Sequence, residues 1–255
     1  MNYIIAATTD IGISKQTNQD SCNVRVLSTS LGKMVFAILC DGMGGLAKGE
    51  VASSSLVTAF MRWSENRLPI LCAQGLNDAS IRNEWMTLAQ EYSEKIKQYG
   101  KRIGSAVGTT LTALLITQDR YYIINVGDTR CYEISDAVRV LTKDQTVVAR
   151  EIELGHLTEE QAKVDPRRSV LLQCIGASDY VYPDFFFGTP KDQAVYMLCS
   201  DGFRHEISEQ EIYGYLNPNV MLSAEGMQQN MSSLIELNKQ RQERDNITVV
   251  SVRTF

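Results

Sequence analysis

An α+β layered sandwich is the fold class this sequence predicts, and three observations carry the prediction. Apolar runs of strand length, many of them alternating, recur from one end of the 255 residues to the other. Two helix-period segments stand together between an early and a middle strand, which a regular βαβ alternation does not produce. The adjacent short runs 110–116 and 121–126 read as hairpin neighbours, so a doubly wound parallel sheet is disfavoured.

The predicted strands are 3–9, 34–40, 110–116, 121–126, 131–134, 194–199 and 247–252, each an apolar run bounded by polar or turn residues. Segments 50–67 and 81–99 place apolar residues at helical spacing with charges opposite, and 224–239 reads as a third, late helix. Residues 145–177 differ from the rest. They are charged, with short helical pieces at 146–154 and 158–163 and a break at Pro166, which predicts a surface subdomain or flap. No solenoid repeat or low-complexity tract interrupts the chain, and one domain over 1–255 is expected.

Hydrophobic residues make up 44% of the sequence, enough for one sizeable core, and the formal net charge is −5. That charge argues against an electrostatic grip on nucleic acid or anionic lipid, which requires a basic face. The first nine residues lack the basic region and apolar run of a signal peptide, and no stretch approaches the ~20 apolar residues of a membrane span. A soluble, cytoplasmic, monomeric protein is expected. Cys22, Cys40, Cys72, Cys131, Cys174 and Cys199 include no C-x-x-C pair and several lie in apolar runs, so they read as reduced core residues.

The chemistry lies at the strand ends. An apolar run leads into an acid and a glycine at 36–42 (Asp41-Gly42) and again at 195–202 (Asp201-Gly202), with a looser copy at 123–128 ending in Gly127-Asp128. Asp245 directly precedes the last strand and Asp20 follows the polar turn 15–19. Any single Asp-Gly serves equally well as a turn, because aspartate satisfies local backbone donors and glycine accepts positive φ. Several such acids meeting at one sheet edge would repel one another and resist ionisation unless a cation neutralised them.

Oxygen donors suit hard cations, and His156 and His205 have no zinc-like spacing, so Mg²⁺ or Mn²⁺ is expected rather than Zn²⁺. Two such ions about 3.5–4 Å apart would activate a water for in-line attack on a phosphate ester. No cysteine has an arginine at the offset a cysteine phosphatase needs, and no phosphate-cradling G-x-x-x-x-G-K-[ST] loop exists. Residues 42–47 formally match a dinucleotide fingerprint, but Asp41 would face the pyrophosphate with like charge.

Six ordered motifs resemble the metal-dependent protein phosphatases of the protein phosphatase 2C family, especially its bacterial single-domain members, over nearly the whole chain. They are Asn18-Gln19-Asp20-Ser21; Asp41-Gly42-Met43-Gly44-Gly45 with Gly49-Glu50-Val51-Ala52-Ser53; Gly108-Thr109-Thr110-Leu111; Asn125-Val126-Gly127-Asp128-Thr129-Arg130; Ser200-Asp201-Gly202; and Asp245-Asn246-Ile247-Thr248. The resemblance implies a four-layer α-β-β-α sandwich with a central antiparallel β-sandwich and a metal centre at one edge. It implies that Asp41 bridges two ions, the Gly42 carbonyl ligates one, and Asp201 and Asp245 complete the other. Asp20 resembles the acid that acts through metal-bound water, Asp128 with Asp201 the pair that holds a third ion, and 145–177 the flap bordering the active site.

The sequence departs from the family at four positions. Lys15 stands where the family has a phosphate-binding arginine, so a bidentate fork becomes a point charge. Leu46, Gln145 and Asp165 stand where many bacterial members have histidine, which leaves protonation of the leaving group to metal-bound water. His156 and His205 read as structural or surface residues, Gly108-Thr109-Thr110 as a strand entrance with close backbone packing, and Arg130 and Arg204 as partners of acids near the metal edge or as solvent-facing.

The expected function is hydrolysis of phosphoserine and phosphothreonine in proteins phosphorylated by a serine/threonine kinase. A non-catalytic phosphoprotein-binding module of the same fold is the alternative, as is a phosphatase acting on a small phosphate ester or a partner-switching regulator.

Overall fold

The computed structural model describes residues 1–43 and 48–255. In chain order the elements are β1 (Tyr3–Asp10), β2 (Ser21–Thr29), β3 (Gly32–Cys40), α1 (Gly49–Asn66), α2 (Leu68–Gln74), α3 (Asp78–Ile103), β4 (Leu111–Ile116), β5 (Tyr121–Val126), β6 (Arg130–Ile134), β7 (Val138–Val140), α4 (Val147–Glu153), α5 (Glu159–Val164), β8 (Asp184–Gly188), β9 (Val195–Cys199), α6 (Asp201–Arg204), α7 (Glu209–Leu216), α8 (Ala224–Gln240) and β10 (Ile247–Thr254). Two five-stranded antiparallel sheets result, ordered β1-β10-β9-β6-β7 and β2-β3-β4-β5-β8.

The alternation within β3 explains the layering. Met34, Phe36, Ile38 and Cys40 face one way and join Leu56, Phe60, Trp63, Ile81 and Trp85 of α1 and α3 in one core. Val35, Ala37 and Leu39 face the other way and meet Tyr196, Leu198, Val250 and Val252 of the opposite sheet in a second. A third core lies between the outer face of that sheet and α6, α7 and α8, through Met197, Phe203, Ile212, Met227 and Leu234. Helices, sheet, sheet and helices are therefore stacked as four layers, with an apolar cluster at each interface.

The seven predicted strands and three predicted helices are all present, with ends shifted by a few residues. Elements β2, β7, β8, α2, α6 and α7 were not anticipated. β2 alternates polar and apolar residues at a half-exposed edge and so lacks a continuous apolar run, while β7 has three residues and α6 four. Residues 145–177 contain α4 and α5, and bridges Thr146↔Leu171 and Thr109↔Ile175 tie the stretch together and to the body. All six cysteines are free, five of them buried. Among the described residues, no helix is long and apolar enough to cross a membrane.

Candidate active site

Five aspartates stand where strands end. Asp41 follows β3, Asp201 opens α6 just past β9, and Asp245 precedes β10, while Asp128 lies in the β5–β6 turn and Asp20 immediately before β2. Contacts between neighbouring residues draw these ends together. The Gly42 amide donates to the Gln19 carbonyl (3.1 Å), which puts Asp41 beside Asp20. The Gln19 amide donates to Asn246 Oδ1 (2.9 Å), which puts Asp20 beside Asp245. Gly202 is pressed against the same loop: a Cβ there would stand 2.3 Å from the Asn246 carbonyl and 3.3 Å from the Asp245 Cβ. Arg204 Nη2 donates to the Asp128 carbonyl (3.1 Å) and joins the last acid to α6.

The backbone of Asp41 is held from β4's entrance. Thr110 N and Thr109 Oγ1 both donate to the Asp41 carbonyl (2.9 Å each), and the Asp41 amide donates to Thr110 Oγ1 (2.8 Å). Gly42 is wedged so that a Cβ would lie 2.5 Å from the Gln19 carbonyl and 2.6 Å from Gly49, so no larger residue fits. Gly108 does pack closely, against Met43 Sδ, Cys174 Sγ and the Ala177 Cβ, as its strand-entrance reading anticipates. The two threonines that follow it do more, and no local pattern announces partners almost seventy residues away.

Electrostatically the cluster is short of positive charge. Asp20 is 8% exposed and, among the described residues, neither of its carboxylate oxygens has a well-formed hydrogen bond; Asp201 Oδ1 is likewise buried and without one. The hydroxyls of Thr248 and Ser200 lie near enough to soften the charge on Asp20 without forming a well-shaped hydrogen bond to it. Burial, reinforced by the charges of Asp201 and Asp245, pushes Asp20 up to about 7. Asp128 is pushed up to about 7 by burial and Asp201, against relief from Arg204. Burial and then Asp20, Asp201, Asp128 and Asp245 drive Asp41 well above the usual carboxylate range.

Of the protein's cations near the cluster, Lys15 and Arg130 are partly exposed and Arg204 is largely buried. Lys15 Nζ is 2.7 Å from Asp245 Oδ1. Burial alone would depress its pKa, but the pair with Asp245 and the charges of Asp41 and Asp201 outweigh it and raise the pKa. Arg130 pairs bidentately with Asp144 (2.8 Å twice) and Arg204 reaches the same carboxylate (3.3 Å), so both arginines partner an acid as expected. Among the described residues, no three carboxylate, imidazole or thiolate groups already close on one point as a formed metal cage. Like charges gathered in this way disfavour one another's ionisation, and a bound cation would relieve them. Orphaned carboxylate oxygens and an oxygen-rich donor set fit a hard divalent ion such as Mg²⁺ or Mn²⁺.

All of Asp20, Asp41, Gly42, Asp128, Asp201, Asp245 and Lys15 are thus brought to one edge. Asp165 is not: it pairs with Arg167 in the stretch after α5. His156 is exposed and pairs with Glu151, whereas His205 lies against Asp201 and Glu243. Gln145 is a structural pin, accepting from the Gly127 amide (2.9 Å) and donating to Asp184 (2.8 Å). Leu46, with Gly44 and Gly45, lies outside the described residues. Sequence reasoning gave Asn246 no role, yet it also donates to the Ile11 and Thr17 carbonyls (2.9 and 3.3 Å) and so fastens the Lys15 loop to Asp245. Its place directly after a strand-end acid was the available signal.

Residues 12–236 match the family model described as Protein phosphatase 2C. The serine/threonine protein phosphatase PstP of Mycobacterium tuberculosis is 31% identical over 96% of this chain, which spans only 44% of that relative's length. Protein phosphatase PhpP of Streptococcus pneumoniae is 29% identical, with 97% of this chain and 96% of the relative covered. Among solved structures, the S. agalactiae serine/threonine phosphatase covers both chains completely at a TM-score of 0.84 and 28% identity. The PstP catalytic domain in complex with two manganese ions aligns at a TM-score of 0.77 and 25% identity, covering 99% of each chain.

Proposed function

This chain belongs to the protein phosphatase 2C family, and on that premise we propose that it is a metal-dependent hydrolase that dephosphorylates phosphoserine and phosphothreonine in proteins. The observation that carries the reading is the set of buried carboxylate oxygens on Asp20 and Asp201 that, among the described residues, have no well-formed hydrogen bond. Such groups are costly unless a cation completes them.

In this reading Asp41 and the Gly42 carbonyl, held in place by Thr109, Thr110 and Gln19, would take part in holding two Mn²⁺ or Mg²⁺ ions, and Asp201 and Asp245 would complete the set of ligands. Asp128 with Asp201 would take a third. Bound divalent ions supply Lewis acidity, lowering the pKa of water and neutralising phosphoryl charge. Asp20 would orient solvent beside the ions. Lys15 stands at the rim as the phosphate-binding cation and must share or leave its pair with Asp245 to reach the substrate. Its ammonium offers a point charge where a guanidinium would offer a fork.

The reading extends to a single catalytic domain acting as a cytoplasmic monomer on substrates of a serine/threonine kinase, with residues 145–177 as a flap beside the site. The contacts of Cys174 and Ala177 with Gly108 and of Gln145 with Gly127 support that placement. The test is phosphate release from a phosphothreonine peptide, which should require Mn²⁺ or Mg²⁺ and stop with EDTA. Metal-loaded protein that turns over no phosphopeptide would sink the proposal.

A further inference from the structure

The loop between α8 and β10 carries a buried acid that the proposed reaction does not use. Glu243 is 7% exposed. Its Oε1 accepts from the backbone amides of Arg244 (2.7 Å) and Asp245 (2.9 Å), and its Oε2 lies 3.3 Å from His205 Nδ1. The His205 side chain, 19% exposed and directly after α6, presents its other nitrogen 3.6 Å from Asp201 Oδ2. One carboxylate therefore grips the backbone of one acid of the cluster and, through an imidazole, reaches the side chain of another.

Both halves of this bracket stand on the same residue. Asn238 of α8 is fully buried, its Nδ2 donates to the Phe203 carbonyl in α6 (2.9 Å), and its own carbonyl accepts from the Glu243 amide (3.0 Å). With this shared, buried anchor, displacement of Glu243 or His205 would be passed on to Asp245 and Asp201. Groups behind the coordinating atoms hold them in place and spare the cost of ordering them when an ion arrives.

We propose that Glu243 and His205 are positioning residues that set Asp201 and Asp245 relative to one another for uptake of a divalent ion. The inference rests on the metal reading of the site. A purely structural ion pair would lower the stability of the metal-free protein and leave ion affinity alone; a positioning pair lowers ion affinity, and its two members act through one path.

The experiment is calorimetric titration of metal-stripped protein comprising residues 1–255 with Mn²⁺ alone, for wild type, Glu243→Gln, His205→Gln and the double variant, with melting in EDTA alongside. Each single substitution should weaken Mn²⁺ binding about 10-fold, and the double variant should lose no more than the weaker-binding single. Affinities within twofold of wild type, or losses that multiply in the double variant, would overturn the inference. The two substitutions lie on separate segments, so one misfolded variant leaves the other to decide. Wild-type protein that takes up no Mn²⁺ would overturn the metal reading first, and this inference with it.

Discussion

The two ends of strands β6 and β9 treat buried acids in opposite ways. At one end Glu133, 5% exposed, is met by Lys191 Nζ (2.9 Å), Arg139 Nη1 (3.3 Å) and the Tyr196 hydroxyl (3.1 Å). At the other end Asp20, Asp128 and Asp201 are buried to a similar degree. Among the described residues, Asp20 and Asp41 have no cation within ion-pair distance, and Asp128 and Asp201 have one only at the long limit, Arg204 at 3.9 Å and His205 at 3.6 Å. Burial of an acid is therefore not the functional signal. Burial without a counter-charge from the protein is.

The contrast is tested most severely at Asp41. On the proposed reading Asp41→Asn should lower kcat on a phosphopeptide by at least about 10³-fold, since losing a ligand shared by two ions would remove several kcal/mol of charge stabilisation. Activity within tenfold of wild type in saturating Mn²⁺ would break the comparison.

A pH experiment probes the same end without substrate. Asp20 and Asp128 titrate near 7 when folded, against about 4 in an unfolded chain. The native state thus holds more protons than the unfolded state between those values, so stability in EDTA falls as pH rises from about 4 towards 7. Urea melts at pH 5 and 7.5 should show wild type losing about 2 kcal/mol relative to Asp20→Asn, and excess Mn²⁺ should reverse the loss. Equal pH slopes for the two proteins would contradict the assignment.

The compensated end should be indifferent to metal. Glu133→Ala strips the acceptor from the buried Tyr196 hydroxyl and should cost about 2 kcal/mol, the same in EDTA as in Mn²⁺. A metal-dependent cost would show that the two ends are not separate. The smallest effect is expected at the rim: Lys15→Arg, by restoring a bidentate fork, should lower KM about threefold with kcat little changed. A rise in KM would instead place Lys15 in structural service to Asp245.

Much of this arrangement could be read from the sequence, for a physical reason. The patterns of strand then acid at Asp41 and Asp201, and of acid then strand at Asp245, are local, because the buried strand and the acid at its end are near neighbours in sequence. What escaped was non-local or too short. The Thr109 and Thr110 clamp on Asp41, the Asn246 tether and the Glu243–His205 bracket each join segments separated by 30 or more residues. β2 hides because its edge position mixes polar and apolar residues. Three-residue β7 and four-residue α6 carry too few positions to show a period.

Asp20 and Asp41 adjoin strands of one sheet, whereas Asp201 and Asp245 adjoin strands of the other. An ion gripped from both sides would work as a rivet across the mouth of the sandwich, as well as a reagent. Chelation would then unfasten the mouth, and the supply of ions would govern how stiffly the two sheets are clamped before any substrate arrives.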